Sequence, residues 1–161
     1  MTSEAADRLV QRLRELNVAA EVIAPGVPMP TVASAATAAG VPERAIVKSL
    51  LFTDRNGGLV MAVANGTGRV DRHRLAQSVG SGPLAMAKAA TVLRATGYVA
   101  GGVAPVLPAE PFPVVIDTKV MTETVVYCGG GSEDVLLRIS PADIARLSGA
   151  IVADIAIGPT A

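Results

Sequence analysis

The chain has 161 residues, a length typical of one domain, and we expect residues 1–161 to form a single domain. Half of the residues (50%) are hydrophobic and 17% are charged, which argues against a globally disordered chain. Basic and acidic residues both number 14, so the formal net charge is zero. That balance argues against a protein that binds nucleic acid mainly by neutralising many phosphates, and we expect no DNA partner.

The scarcity of aromatic residues and cysteine argues against further classes of protein. With no Trp, two Tyr and two Phe, the chain lacks the aromatic platforms on which single-stranded nucleic acids stack. Its single cysteine, Cys128, cannot form an internal disulfide, and one Cys with one His cannot build a structural zinc site. The sequence shows neither a signal peptide nor 18 consecutive apolar residues, so we expect a cytoplasmic protein with no membrane role.

The amino-terminal half of the chain predicts alternating helices and strands. Leucines recur at helical spacing near its start, and an alanine-rich run follows Thr31, a residue type that favours the N-cap position. Asn56-Gly57 separates two apolar runs and is typical of a hairpin turn. The predicted elements are a helix over 2–17, a strand over 18–24, a helix over 32–39, and strands over 45–53 and 59–64.

The carboxy-terminal half predicts short helices, a long loop and several strands. Asp71 and Ser140 are positioned to cap the helices that follow them. The predicted elements are helices over 72–79 and 89–95, a Gly/Pro-rich loop over 98–113, strands over 114–116, 124–128 and 135–139, a helix over 142–147 and a strand over 152–155. Interleaved helices and a tight hairpin favour an α/β fold with a mixed, largely antiparallel sheet surrounded by helices.

Lys48 is the first candidate for chemistry, because it lies within an apolar predicted strand. Strand alternation places it on the same face as Ile46 and Leu50. A partly desolvated ammonium in such a position orients a carbonyl or a phosphate, or acts as a base if its pKa falls. The alternative is a lysine whose stem lies along a half-exposed strand while its ammonium stays in water.

Two glycine-rich turns are the second candidate, Gly101-Gly102 and the sequence GGGS at 129–132. Their amides are able to line a pocket and to donate hydrogen bonds to an oxyanion or a phosphate. A plain hairpin loop is the alternative for the second turn, since it joins two predicted strands. Neither turn belongs to a nucleotide-binding fingerprint.

Three further features each have a structural explanation. His73 lies on a predicted solvated helix face, and Cys128, at the end of an apolar strand, is typical of a small buried hydrophobe. Arg69, Arg72 and Arg74 form a compact basic cluster. This cluster is either a solvated edge or a site for a phosphate backbone.

Taken together, these stretches resemble the YbaK family, the free-standing relatives of the editing domain of bacterial prolyl-tRNA synthetases. The resemblance covers about residues 31–155 and rests on the order and spacing of its motifs. The motifs are TVASAA at 31–36, VPERAIVKSL at 41–50, RVD at 69–71 with LA at 75–76, TGY at 96–98 with GGVAP at 101–105, and GGGS at 129–132 with LRISP at 137–141.

The resemblance implies an editing-type α/β fold and hydrolysis of the ester that joins a wrong amino acid to tRNA, most often tRNA for proline. It implies Lys48 as the catalytic residue, without a cofactor, metal ion or covalent nucleophile. The implied partners are the acceptor end of an aminoacyl-tRNA and prolyl-tRNA synthetase, and the chain is compatible with a monomer or a homodimer. The implied substrate-binding residues are Thr31, Ser49, Gly101, Gly102, Val103, Gly129, Gly130 and Ser132.

One departure leaves the substrate open. Several family members carry a histidine within or just after the second glycine turn, whereas SEDV follows that turn's glycines at 132–135 here. The sequence therefore retains two alternatives to deacylation. One is a non-catalytic module that binds an aminoacyl-like or nucleotide-like ligand or a synthetase, and the other is a hydrolase of unrelated small esters.

Overall fold

The computed structural model describes residues 3–158 and shows a mixed α/β fold with helices around the sheets. Thr2, which the predicted first helix includes, lies outside the described residues. Five α-helices occur within 3–158: α1 (Glu4–Glu15), α2 (Val32–Ala39), α3 (Arg72–Val79), α4 (Ala89–Thr96) and α5 (Pro141–Ser148). Ten strands occur in the same part of the chain: β1 (Glu21–Ile23), β2 (Val47–Thr53), β3 (Leu59–Asn65), β4 (Arg69–Val70), β5 (Ala85–Met86), β6 (Val114–Asp117), β7 (Val126–Gly129), β8 (Leu136–Ile139), β9 (Ile151–Ala153) and β10 (Ala156–Ile157).

The strands form a central five-stranded sheet and two smaller sheets. The central sheet has the order β5-β2-β3-β6-β9, in which β2 is antiparallel to both neighbours while β6 is parallel to β3 and β9. A three-stranded antiparallel sheet has the order β1-β8-β7, and β10 pairs with β4. A single bridge between Ile46 and Tyr127 connects the three-stranded sheet to the start of β2. The predicted mixed α/β fold is confirmed.

Side-chain caps begin α2, α3 and α5, three of the helices that the sequence analysis predicts. Thr31 and Ser34 form a reciprocal capping box at α2, and Asp71 accepts the amides of His73 and Arg74 at α3. Ser140 caps α5, whose first turn contains a proline. These caps satisfy amide groups that a helix leaves without intrahelical partners, so short helices of eight residues start at defined positions.

Apolar side chains pack on both faces of the central sheet. Val47 and Leu51 of β2 belong to the larger core, which also holds Leu9 and Leu13 of α1. On the other face, Leu50 packs against a second core. Because side chains alternate along a strand, Ser49 shares the face of Val47 and Leu51, while Lys48 shares the face of Leu50. Lys48 and Ser49 therefore project from opposite faces of β2.

The structure corrects the boundaries of several predicted strands. Those over 18–24 and 124–128 begin too early, because β1 starts at Glu21 and β7 starts at Val126. The prediction for 45–53 begins too early, because Glu43–Ala45 forms a 3-10 turn and β2 starts at Val47. The predicted strand over 152–155 extends too far, because β9 ends at Ala153 and residues 154–155 separate it from β10. A buried carboxylate explains the break, since Asp117 Oδ1 accepts the amides of Ile155 at 2.9 Å and Ala156 at 3.0 Å. Those two amides therefore donate to a side chain and not to a neighbouring strand.

Two further features concern the rest of the described chain. The predicted loop over 98–113 is confirmed as irregular, and its middle is buried, with Val106 fully enclosed. The hydroxyl of Tyr98 donates to the carbonyl of Val106 at 2.9 Å and so ties the start of this segment to its middle. Among the helices of residues 3–158, none has the length and apolar character needed to cross a membrane.

Candidate functional site

A cavity of about 230 Å³ lies at the edge of β2 where this strand has no neighbour on one side. Four chain segments meet there: the approach to α2, strand β2, the first glycine turn and the second glycine turn. Six of the predicted site residues line this cavity: Thr31, Lys48, Ser49, Gly101, Val103 and Gly129. Three do not line it: Gly102, Gly130 and Ser132.

The ammonium of Lys48 is held against the protein backbone. Its Nζ donates a hydrogen bond of 2.7 Å to the carbonyl oxygen of Gly68, and no carboxylate within residues 3–158 pairs with it. The residue is half-buried, and burial lowers the pKa of its side chain. An ammonium has three N–H donors, so two remain for a ligand. This geometry differs from that of a lysine whose ammonium extends freely into water.

Ser49 presents unsatisfied polar groups to the same cavity. Its Oγ is buried and has no hydrogen-bond partner among residues 3–158. The carbonyl of Leu51 accepts the amide of Ala87 at the open side of β2. Since every second residue of a strand directs its N–H and C=O to the same side, the backbone groups of Ser49 point to that side as well. A buried hydroxyl without a partner costs free energy, which a bound polar group would recover.

The two glycine turns touch each other through their backbones. A Cβ atom on Gly129 would overlap the carbonyl of Val103, and one on Gly102 would lie 2.6 Å from the carbonyl carbon of Ser132. The amide of Gly131 donates to the carbonyl of Gly102 at 2.9 Å and joins the turns directly. Glycine is therefore needed here for close approach of two chain segments, which fixes the wall and floor of the cavity.

The expectation that the amides of both turns face a ligand needs correction. The amide of Gly102 donates to Val99 O and that of Gly130 donates to Val135 O, so both are engaged within the protein. In contrast, no acceptor within residues 3–158 takes the amides of Gly101 and Val103, and both residues line the cavity. The amides that remain for a ligand thus come from the first turn.

The sequence analysis did not select Glu133, which lines the cavity beside the first glycine turn. Its Cγ would lie 3.4 Å from a Cβ on Gly101, and no cation within 3–158 pairs with its carboxylate. A wider groove of about 1000 Å³ adjoins the cavity and shares Glu133, Gly101 and Met29 with it. The feature of the sequence that could have identified Glu133 is an acidic residue directly after a glycine turn. The cavity consequently has a cation at Lys48 and an anion at Glu133.

The remaining candidates do not take part in this cavity as chemical groups. Cys128 borders it but is 1% exposed, its Sγ donates to Leu137 O, and burial raises the pKa of its thiol, so a thiolate nucleophile is disfavoured. His73 is exposed on α3 and lies outside the cavity, as the sequence predicts. No group of three or more His, Cys, Asp or Glu side chains within residues 3–158 could hold a metal ion.

Comparisons with known proteins place this geometry in context. Residues 27–147 match the model of the aminoacyl-tRNA editing domain. A protein of Enterococcus faecalis named "Putative Cys-tRNA(Pro)/Cys-tRNA(Cys) deacylase EbsC" is 25% identical over 122 residues, which are 76% of this chain and 74% of that protein. The protein YwhH of Bacillus subtilis is 29% identical over 118 residues, which are 73% of this chain and 74% of that protein.

A solved structure is also similar over almost the whole chain. It is described as "a putative trans-editing enzyme for prolyl tRNA synthetase" and is 33% identical in sequence, with a TM-score of 0.85. The match covers 98% of this chain and all (100%) of the other. The fold seen here therefore occurs, at full length, in a protein with one third of its residues identical.

The contact between the two glycine turns can be tested by Gly129→Ala. The added methyl group would overlap the carbonyl of Val103, so the turns must separate and the free energy of unfolding should fall by about 1–3 kcal/mol, the usual cost of overpacking. Urea denaturation followed by circular dichroism measures this change. The matched control is Gly82→Ala, where the methyl meets no atom within 4 Å. Equal stability of both variants would contradict the proposed contact.

Proposed function

The chain belongs to the aminoacyl-tRNA editing domain family, which confirms the YbaK-type resemblance of its sequence, and on this premise we propose that it is a trans-editing aminoacyl-tRNA deacylase. The reaction is hydrolysis of the ester between a wrong amino acid and the terminal adenosine of tRNA. Water adds to the ester carbonyl carbon, the bond from that carbon to the ribose oxygen breaks, and the ribose oxygen takes up a proton. The products are a free amino acid and uncharged tRNA.

The observation that carries this proposal is the ammonium of Lys48, held at 2.7 Å from Gly68 O beside a small cavity. An aminoacyl ester is already activated, so a catalyst needs chiefly to fix it and to stabilise the developing oxyanion. We assign that stabilisation to the two remaining N–H donors of Lys48 and to the free amides of Gly101 and Val103. This scheme needs neither a metal ion nor a covalent nucleophile.

The size and lining of the cavity support a small amino acid as the substrate. Val103, Ile46 and Leu136 are among the apolar side chains of a cavity of about 230 Å³. When two substrates differ by one methylene, apolar contacts give a difference in binding free energy of only about 1–3 kcal/mol. Steric exclusion of the larger side chain therefore discriminates more effectively in such a site. We propose tRNA for proline carrying a small wrong amino acid, which agrees with the name of the Enterococcus faecalis relative.

Glu133 supplies a second contact in this scheme, with the α-ammonium of the aminoacyl group. Its carboxylate borders the cavity without a cationic partner among residues 3–158. Every aminoacyl ester carries an ammonium next to its carbonyl carbon, so an anion and a cation at the same cavity match the two polar ends of that group. A charge-assisted hydrogen bond of this kind is stronger than one between neutral groups.

A synthetase is the proposed protein partner. The similar solved structure is described as a trans-editing enzyme for prolyl tRNA synthetase, and delivery of tRNA by a synthetase would compensate for the zero net charge of this chain. We therefore expect the isolated protein to bind tRNA with modest affinity, because few phosphate contacts contribute. This binding should weaken as the salt concentration rises, since those contacts are electrostatic.

The proposed role of Lys48 predicts that Lys48→Met abolishes most of the deacylation. This substitution keeps the side-chain stem but removes the ammonium, and the loss of one oxyanion donor costs on the order of 100-fold or more in rate. The assay measures hydrolysis of tRNA mischarged with Ala, Cys, Ser, Thr or Pro, and Lys48→Ala is tested in parallel. Lys88→Met is the matched control, because Lys88 is exposed and lies outside the cavity.

Three outcomes separate the possible functions. Hydrolysis that depends on Lys48 and not on Lys88 supports the proposal, whereas full activity of Lys48→Met removes Lys48 from the mechanism. No hydrolysis across the panel, combined with a thermal shift caused by an aminoacyl-adenosine analogue, indicates a binding module instead. Hydrolysis of simple esters without any tRNA dependence indicates a small-ester hydrolase.

The contact assigned to Glu133 predicts a different kinetic result. Glu133→Gln should raise KM for the mischarged tRNA by about 10-fold or more, since a hydrogen bond to a charged group contributes about 1.5–3 kcal/mol. Substrates whose α-amino group is acetylated should lose this dependence. Glu110→Gln, a change at an exposed residue outside the cavity, is the control and should leave KM unchanged. Equal KM values for wild type and Glu133→Gln would refute the contact.

A further inference from the structure

The backbone of Arg69 lies next to the Lys48 ammonium, because Arg69 follows the residue to which that ammonium is bonded. Lys48 Nζ donates to the carbonyl of Gly68 at 2.7 Å, and Gly68 immediately precedes Arg69. Covalent geometry places the Cα of one residue within about 3 Å of the preceding carbonyl oxygen. The backbone of Arg69 is therefore within about 6 Å of the Lys48 ammonium. The Lys48 ammonium, which lines the cavity, thus has a second basic residue close to it.

Arg69 and Arg72 are exposed arginines without carboxylate partners among residues 3–158. Arg69 is on β4 and Arg72 is the first residue of α3, so three positions separate them. Arg74 differs, because its guanidinium lies 3.4 Å from Asp154 and 3.9 Å from Asp71. Of the three clustered arginines, the two nearest in sequence to Gly68 are those whose charge is not neutralised. We call them the Arg69/Arg72 surface.

The cavity carries negative charge where it adjoins the wider groove, which Lys48 does not line. Glu133 borders the cavity, and Glu133 and Asp134 both line the adjoining groove. A polyanion is repelled there and attracted by the arginines. The two charges thus fix one direction for an aminoacyl nucleotide, with its ammonium towards Glu133 and its phosphates towards Arg69.

We propose that the Arg69/Arg72 surface binds phosphodiester groups of the single-stranded acceptor end of tRNA, next to the aminoacylated nucleotide. This inference rests on the proposed function, because it assumes an ester at Lys48. The phosphate of the terminal nucleotide is joined to that ester through one ribose, so it must lie close to the ammonium. Guanidinium groups fit phosphate oxygens through paired N–H donors, which suits arginine to this role.

The test compares a long substrate with a minimal one. Arg69→Ala/Arg72→Ala should raise KM for mischarged tRNA by about 10-fold or more and leave hydrolysis of aminoacyl-adenosine unchanged, because that ester has no phosphate. The control is Arg14→Ala/Arg55→Ala, which removes the same charge from exposed positions outside the cavity. An equal rise in KM for mischarged tRNA in the test and control variants would show a bulk charge effect and overturn the proposal. Loss of aminoacyl-adenosine hydrolysis would also overturn it.

Binding of uncharged tRNA separates this inference from the proposed function. For single-stranded contacts the slope of log Kd against log salt changes by about 0.7 per phosphate contact, so the double variant should lose about 1.4 of the wild-type slope. Such a loss without any deacylation by the wild type would support the surface and reject the enzyme. An unchanged slope would overturn the surface even if deacylation is observed. Arg72→Gln alone, which should lose about 0.7, provides the same test if the double variant does not fold.

Discussion

The hydrogen bond from Lys48 Nζ to the carbonyl of Gly68 is the contact on which the site depends. It fixes the ammonium at the side of the cavity, and its acceptor is a backbone atom whose position the fold determines. Gly68 is followed by β4, which pairs with β10. The buried carboxylate of Asp117 in turn accepts amides at the start of β10. A chain of hydrogen bonds thus connects the end of the central sheet to the proposed catalytic cation, and of its members only residues 155–157 lie beyond the matched range 27–147.

Close backbone packing is the second constraint on the site. The two glycine turns approach so closely that a single methyl group on Gly129 would not fit. The amides of Gly102 and Gly130 donate within their own turns, to Val99 O and Val135 O, whereas those of Gly101 and Val103 stay available. The glycines of the second turn therefore shape the cavity, while the donors come from the first turn. Rigid backbone donors suit oxyanion stabilisation because they need no reorganisation during the reaction.

The sequence predicted the parts of the site that depend on local pattern. Lys48 and Ser49 lie in an apolar strand with a clear period, and Thr31 has the spacing of a capping box, so their elements were predictable. The acceptor of Lys48 was not, because Gly68 is 20 residues away and adjoins a two-residue strand, which has no periodicity to detect. Glu133 was missed for a similar reason, since only the tertiary contact of the two turns brings it to the cavity.

A crystal structure with a non-hydrolysable analogue, in which an amide replaces the ester of an alanyl-adenosine, tests the central claim most directly. The account predicts that the analogue's carbonyl oxygen accepts a hydrogen bond of about 2.7–3.2 Å from Lys48 Nζ. It also predicts that the ammonium lies on the side of Glu133 and the ribose on the side of Gly68. An analogue bound with its carbonyl remote from Lys48, for example wholly within the groove formed by 26–30, would contradict it.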